Sequence, residues 1–302
     1  MRATLTGLTV LVALLGTAGI APAQVAGVEH VVVFGIDGLG PIGLEKAQIP
    51  NLSEFLKNGA HTFAARGVMP TKSAPNWASM ICGAGPEQHG VLANEWPLPK
   101  AYLPPVCTSA GDTGQLFPSI FNLIHEQRPQ IFQAVVHDWD GFGILFEKPA
   151  VNKVVNGDKE DDTASQAIAI IKESKPGFLF IHFDHVDHAL HGEGFATDAY
   201  FAAVTKMDTL VGSVVQAIRE AGIYEKTLFL LTADHGGNGK DHGQPTVGEI
   251  TIPWLICGPG VKPGFTITDT VNTYDTAATL AHVFGVTPPQ CWIGRPVLSA
   301  FK

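Results

Sequence analysis

Apolar residues follow two alternating rhythms along this chain. Continuous runs of branched and aromatic residues predict buried strands at 28–36 (VEHVVVFGI), 131–136, 177–183 (GFLFIHF), 226–231 (KTLFLL) and 252–256. Between them, apolar residues recur three and four apart, the period of a one-faced helix. Phe117, Ile120, Phe121 and Ile124 predict a helix over 117–127; Ala167, Ile168, Ile170 and Ile171 predict one over 164–173. Phe201, Val204, Val211, Val214, Val215 and Ile218 line a long helix over 196–221. Shorter helices open at Pro50-Asn51-Leu52, closing at Asn58-Gly59, and run over 274–284 before Gly285. An extended run covers 61–69, and the Pro- and Gly-rich stretch 86–114 reads as a surface loop. Strands alternating with helices predict one doubly wound α/β domain over 24–302 with a mostly parallel sheet.

Composition supports a large core: 45% of the 302 residues are hydrophobic and 16% charged. The formal net charge of −9 comes without a basic cluster, which argues against a nucleic-acid polymer as partner. The first 23 residues read as a secretory signal: Arg2, the apolar stretch 8–15, and Ala21-Pro22-Ala23 ahead of Gln24. The expected protein is therefore secreted or periplasmic, without a stable membrane anchor once the signal is cleaved. No other stretch reads as long and apolar enough to span a bilayer. Four cysteines (Cys82, Cys107, Cys257, Cys291) allow up to two disulfides in three full pairings, and Cys82 and Cys257 sit in apolar surroundings suited to buried thiols.

Chemistry-bearing residues gather where strands end. Asp37-Gly38 follows the first strand; Asp184-His185-Val186-Asp187-His188-Ala189-Leu190-His191 follows the strand over 177–183; Asp234-His235, then His242, follow the strand over 226–231. In an open α/β sheet these carboxyl ends come together at the ligand edge. Taken alone, Asp37 is a turn residue before glycine. Pro75 suits the first helical position, which places Ser73 just ahead of a helix N-terminus, where Ser-x-Pro alone reads as a cap and a nucleophile needs an activating partner. Carboxylate and imidazole without thiolate suit zinc, with manganese the alternative, and the set is too large for one tetrahedral ion. Asp184 with His188 has the same spacing as Asp187 with His191, which leaves the register of that cluster open.

The ordered set resembles the alkaline phosphatase superfamily, and most closely its type I phosphodiesterase/nucleotide pyrophosphatase branch. The resemblance runs through Gly35-Ile36-Asp37-Gly38, Ile49-Pro50-Asn51-Leu52, Pro70-Thr71-Lys72-Ser73-Ala74-Pro75-Asn76, His89-Gly90 and Asn94. It continues through Val186-Asp187, His191, Thr232-Ala233-Asp234-His235-Gly236, His242-Gly243, Tyr274-Asp275-Thr276-Ala277 and Gly294-Arg295-Pro296. It implies an alkaline-phosphatase-like α/β/α sandwich and two zinc ions, one on Asp187, His191 and His242, the other on Asp37, Asp234 and His235 beside Ser73. Ser73 would form a phosphoserine, Asn76 would bond a phosphoryl oxygen, and the substrate would be a small phosphate ester or nucleotide. The branch usually carries Thr where this chain has Ser73, and Ser is what the phosphomonoesterases carry, so the alternatives are a monoesterase, a sulfatase or phosphonate hydrolase, and an inactive binding homologue. No Arg follows Ser73 closely to grip a dianionic phosphate, and Trp77 stands where sulfatase maturation looks for Arg.

Overall fold

In the computed structural model, which describes residues 25–96, 106–107 and 116–302, the apolar runs form strands β1 (His30–Ile36), β2 (Gly59–Arg66), β3 (Gln133–His137), β4 (Lys153–Asn156), β5 (Phe178–Phe183), β6 (Thr227–Thr232), β7 (Thr251–Cys257) and β8 (Phe265–Thr266). They build one eight-stranded sheet in the order β4-β3-β5-β1-β6-β7-β2-β8. Only β7 runs against its neighbours β6 and β2; the other pairings are parallel. Strands β3, β5 and β6 are buried along their full length, and β1 from Val31 on, as expected of strands covered on both faces.

The helices are α1 (Pro41–Lys46), α2 (Pro50–Asn58), α3 (Ser73–Cys82), α4 (Pro86–His89), α5 (Ile120–Gln127), α6 (Glu160–Ser174), α7 (His185–Glu193), α8 (Asp198–Glu220), α9 (Val247–Ile250) and α10 (Asp275–Phe284). Helices α1, α2, α6 and α7 pack around α8 on one face, and α3, α4, α5 and α10 pack together on the other. The result is the α/β/α sandwich expected from the sequence. Helix α6 starts with Glu160, Asp161 and Asp162, acids that suit the positive end of its dipole. Helix α8 is long and apolar enough to cross a bilayer, which departs from the expectation for the chain beyond its leader. Its apolar stripe, including Val204, Met207, Val211, Val214 and Ile218, is instead buried in the protein. Buried Asp208 on the same helix accepts from the Leu52 N–H at 2.7 Å and the Asn51 side chain at 2.8 Å, pinning the start of α2.

The predicted leader and most of the predicted 86–114 loop lie outside the described residues, though 86–89 form α4. Of the three full cysteine pairings, none forms: Cys107 is bonded to Cys291, and Cys82 and Cys257 are buried thiols.

Candidate metal centre and nucleophile

Strand β1 lies between β5 and β6, so segments far apart in sequence end side by side. Ile36 pairs with Phe183 and Gly35 with Thr232, which brings Asp37, the Asp184 segment and Asp234 to one edge. Gly38 completes the turn after β1. It has φ +71°, and a Cβ there would lie 2.9 Å from the Asp187 backbone, so a side chain at this position would push the two ligand segments apart.

Each buried acid has one oxygen fixed by the protein. Asp37 Oδ2 accepts from the Trp77 indole N–H at 3.0 Å, and Asp234 Oδ1 accepts from the Gly38 N–H at 3.1 Å. Their other oxygens, Asp37 Oδ1 and Asp234 Oδ2, lie 3.3 and 3.2 Å from His235 Nε2, yet neither has a hydrogen-bond partner, and Asp187 Oδ1 has none either. Buried carboxylate oxygens without partners are costly, and a cation is the usual remedy. Asp37, Asp234 and His235 offer ligand atoms within 4.8 Å of one another, as do Asp187, His235 and His242.

The three imidazoles are oriented by backbone carbonyls. His191 Nδ1 faces Lys240 O at 2.9 Å, His235 Nδ1 faces Gly236 O at 2.8 Å, and His242 Nδ1 faces Thr71 O at 2.8 Å. A carbonyl only accepts, so each Nδ1 carries a proton and each Nε2 is turned to the centre, the arrangement metal-bound histidines adopt. His191 Nε2 lies 3.2 Å from Asp187 Oδ2 and 3.2 Å from His242 Nε2, and His242 Nε2 is 3.9 Å from Asp187 Oδ1. The His235 and His242 rings stack at 3.6 Å. Two nitrogens at 3.2 Å sharing one direction need a proton or a metal between them. The donor set therefore fits two ions of the zinc or manganese type.

Electrostatics of the metal-free cluster point the same way. Burial opposes the charge on Asp37, but the His182 and His235 rings hold its carboxyl well below the usual range. Burial, then the Asp37 charge, pushes Asp234 well above it. Burial works against the His235 charge, but Asp234 and Asp37 outweigh it and raise the ring to about 10. The hydrogen bond to Asp187 raises His191 to about 9, whereas burial and the His235 charge lower His242. The raised His191 and His235 rings favour a proton where a metal ligand must offer a lone pair. Zinc would have to displace it, so its affinity is expected to fall as pH drops below about 9 to 10, with proton release on binding. Calorimetric zinc titration at pH 7.5 in two buffers of different ionisation enthalpy measures this. Identical apparent enthalpies would mean that no proton leaves and that the His191 and His235 rings are already neutral at pH 7.5.

Helix α3 begins at Ser73 itself, two residues ahead of Pro75, where the sequence suggested its start: Lys72 is the N-cap, Pro75 the third helical residue, and no side chain caps the end. Ser73 is 5% exposed, and its Oγ lies 3.4 Å from His235 Nε2. Ser73 therefore meets the carboxylate–imidazole cluster. Asn76 does not join them. It is fully buried; its Oδ1 accepts from Val68 N at 2.6 Å, and its Nδ2 faces the Val68, Pro70 and Lys72 carbonyls at 3.3, 3.1 and 2.9 Å. Its amide has no donor left for a phosphoryl oxygen, so the expectation for Asn76 is corrected to a staple of the loop before Ser73. Asn94 stands closer to the nucleophile's backbone: its Oδ1 accepts from the Ala74 N–H at 2.9 Å, and its Nδ2 makes no hydrogen bond to a described residue.

Both pairs of that spacing form: Asp187 with His191, whose Nε2 lies 3.2 Å from His242 Nε2, and Asp184 with His188 at 2.9 Å. Supporting residues without a signal in the sequence include Glu249. Its buried carboxylate takes the Thr71 and Thr246 hydroxyls, each at 2.9 Å, and so holds the His242 loop against the loop before Ser73.

Comparison with known proteins agrees with this geometry. The family model for type I phosphodiesterase/nucleotide pyrophosphatase matches residues 31–244. Mouse ectonucleotide pyrophosphatase/phosphodiesterase family member 1 is 23% identical over 237 residues, which cover 75% of this chain and 26% of the mouse protein. The chain thus spans about a quarter of the length of that curated relative. Zebrafish (Danio rerio) arylsulfatase K is 36% identical over 92 residues, 29% of this chain and 18% of the zebrafish protein. Among solved structures, murine ectonucleotide pyrophosphatase/phosphodiesterase 5, an inactive variant in complex with AMP, superposes with a TM-score of 0.75 at 15% identity. That match covers 91% of this chain and all of the murine one, and it establishes the alkaline-phosphatase-like fold.

Proposed function

The chain belongs to the type I phosphodiesterase/nucleotide pyrophosphatase family, and on that premise we propose that it is an exported two-zinc phosphohydrolase that cleaves phosphodiester or pyrophosphate bonds through a phosphoserine on Ser73. The carrying observation is the approach of Ser73 Oγ to His235 Nε2, itself within 3.3 Å of the two unpartnered carboxylate oxygens of Asp37 and Asp234. Zinc held by Asp37, Asp234 and His235 would lower the pKa of the serine hydroxyl and offset phosphoryl charge; Asp187, His191 and His242 would hold the second ion.

Ser73 Oγ attacks phosphorus in line, the bond from phosphorus to the departing alcohol or phosphate oxygen breaks, and the serine proton ends on that departing oxygen. Water then attacks the phosphoserine, the phosphorus–Oγ bond breaks, and Ser73 recovers its proton. The Ser73 N–H at the start of α3 and the Nδ2 donors of Asn94 supply contacts for the phosphoryl oxygens, the role assigned from sequence to Asn76. Export is supported by the leader-like first 23 residues and by the Cys107–Cys291 bond, which suits an oxidising compartment.

Substrate class is where Ser73 counts, because serine is also the monoesterase nucleophile. The first arginine after Ser73 is Arg128, and a dianionic phosphate lacks the bidentate partner it prefers. Turnover of bis(p-nitrophenyl) phosphate is therefore expected to exceed that of p-nitrophenyl phosphate and p-nitrophenyl sulfate with zinc present. A monoester kcat/KM well above that of the diester would make the protein a phosphatase, and preference for the sulfate would make it a sulfatase.

A further inference from the structure

Strand β5 is apolar except at one position. His182 is completely buried on it, with the Trp77 indole edge-on at 4.8 Å and the Phe142 ring stacked at 5.0 Å. A ring with two polar nitrogens in such surroundings costs stability unless those nitrogens are matched. Here they face two acids: Nε2 lies 3.3 Å from Asp37 Oδ2 and Nδ1 lies 3.5 Å from Asp138 Oδ1. The pairing of β1 with β5 sets Gly35 opposite His182. A Cβ on Gly35 would lie 2.7 Å from the Trp77 ring, so the missing side chain is what lets the indole reach Asp37.

We propose that His182 is a positioning residue for the metal ligand Asp37. Together with Trp77 it engages Oδ2, so that the unpartnered Oδ1 is the oxygen presented to His235. Its second nitrogen makes no hydrogen bond but lies 3.5 Å from Asp138 Oδ1, close enough for an ion pair, and Asp138 accepts from the Asp184 N–H at 2.8 Å and the Thr163 hydroxyl at 3.3 Å. Asp184 is the N-cap of α7, the helix that carries Asp187 and His191. One buried ring thus links the ligand after β1 to the helix supplying two ligands of the other ion. The competing role, a ring that merely fills space between Trp77 and Phe142, predicts that any flat apolar ring would serve.

This inference rests on the two-zinc reading, and zinc titration of the full chain separates the two. Wild type is expected to bind two zinc ions. His182→Phe keeps the stacked ring and loses both nitrogens; it is expected to weaken one of the two ions by about 10- to 100-fold and to lower kcat more than it changes KM. Two zinc ions bound to H182F with wild-type affinities would overturn the proposal while leaving the two-zinc reading intact. Absence of zinc binding by wild type would overturn both. Should H182F fail to fold by circular dichroism, Asp138→Asn decides: a weakened ion is again expected there, and unchanged affinity at both sites overturns the proposal.

Discussion

Ser73→Ala is expected to lower phosphodiester kcat by on the order of 10⁴- to 10⁶-fold while leaving zinc stoichiometry and thermal stability close to wild type. The loss is large because a nucleophile removed from a pre-set cluster has no substitute within reach: Ser73 is nearly buried, and its Oγ sits 3.4 Å from His235 Nε2. Stability should be spared because Ser73 is the first helical residue, and the cap position belongs to Lys72, with no side-chain cap bond to lose. Had Ser73 been the cap, its loss would have cost about 1 kcal/mol. Alanine is the best helix former, and the site loses only one oxygen. Steady-state kinetics, zinc analysis and a thermal melt on the same preparation test all three statements. More than a tenth of wild-type turnover in S73A would remove Ser73 from the chemistry and leave a metal-activated water as the attacking group.

Asp234→Asn is expected to reverse its effect on melting temperature according to whether zinc is present. The side chain is fully buried, with Oδ1 on the Gly38 N–H and Oδ2 unpartnered. Asparagine keeps the shape and an acceptor for Gly38 and removes a charge facing Asp37. Burial and Asp37 push the Asp234 carboxyl well up in the folded state. A carboxyl raised by folding opposes folding above its ordinary range and ceases to do so in acid. In EDTA at neutral pH, D234N should therefore melt higher than wild type, and the difference should shrink as pH falls toward about 4. With zinc at 1,000 times its Kd, wild type should gain about 4 kcal/mol, or roughly 8–16 °C. D234N, lacking a ligand of one ion, should gain less and melt below wild type. Scanning calorimetry with and without zinc checks the crossing. The same order of melting temperatures in both conditions would show that Asp234 is not a ligand.

The framework was legible where physics leaves a mark on residue type. β1, β5 and β6 are uninterrupted apolar runs, and an acid directly past a parallel strand end is conspicuous in Asp37 and Asp234. The reversal of β7 was not legible, because a run buried on both faces carries no sign of direction. Helix α7 was missed because its nine residues are mostly polar, chosen for the site rather than for a core-facing stripe. Asn76 was misassigned because a polar residue in a first turn looks solvent-facing, and only the fold of 68–72 around it shows that its amide is occupied. Asn94 followed the nucleophile as the family resemblance required, but its stretch gave no local reason to expect it at the Ala74 N–H. His182, one imidazole in an apolar strand, announced nothing until its neighbours were known.

The placing of β1 between β5 and β6 also sets the order in which the protein can come into being. The Gly38–Asp234 bond closes a separation of 196 residues, and the bond between His242 and Thr71 closes 171. Contacts of such span form late and slowly, since the intervening chain must first be ordered. A growing chain that has reached only α7 holds Asp37, Ser73, Asp187 and His191, but not Asp234, His235 or His242. It has Ser73, two of the three candidate ligands of one set and one of the three of the other. The cluster at the sheet edge can therefore be complete only after β6 lies beside β1 and the segment through His242 has reached Thr71, so its assembly waits for the second half of the chain.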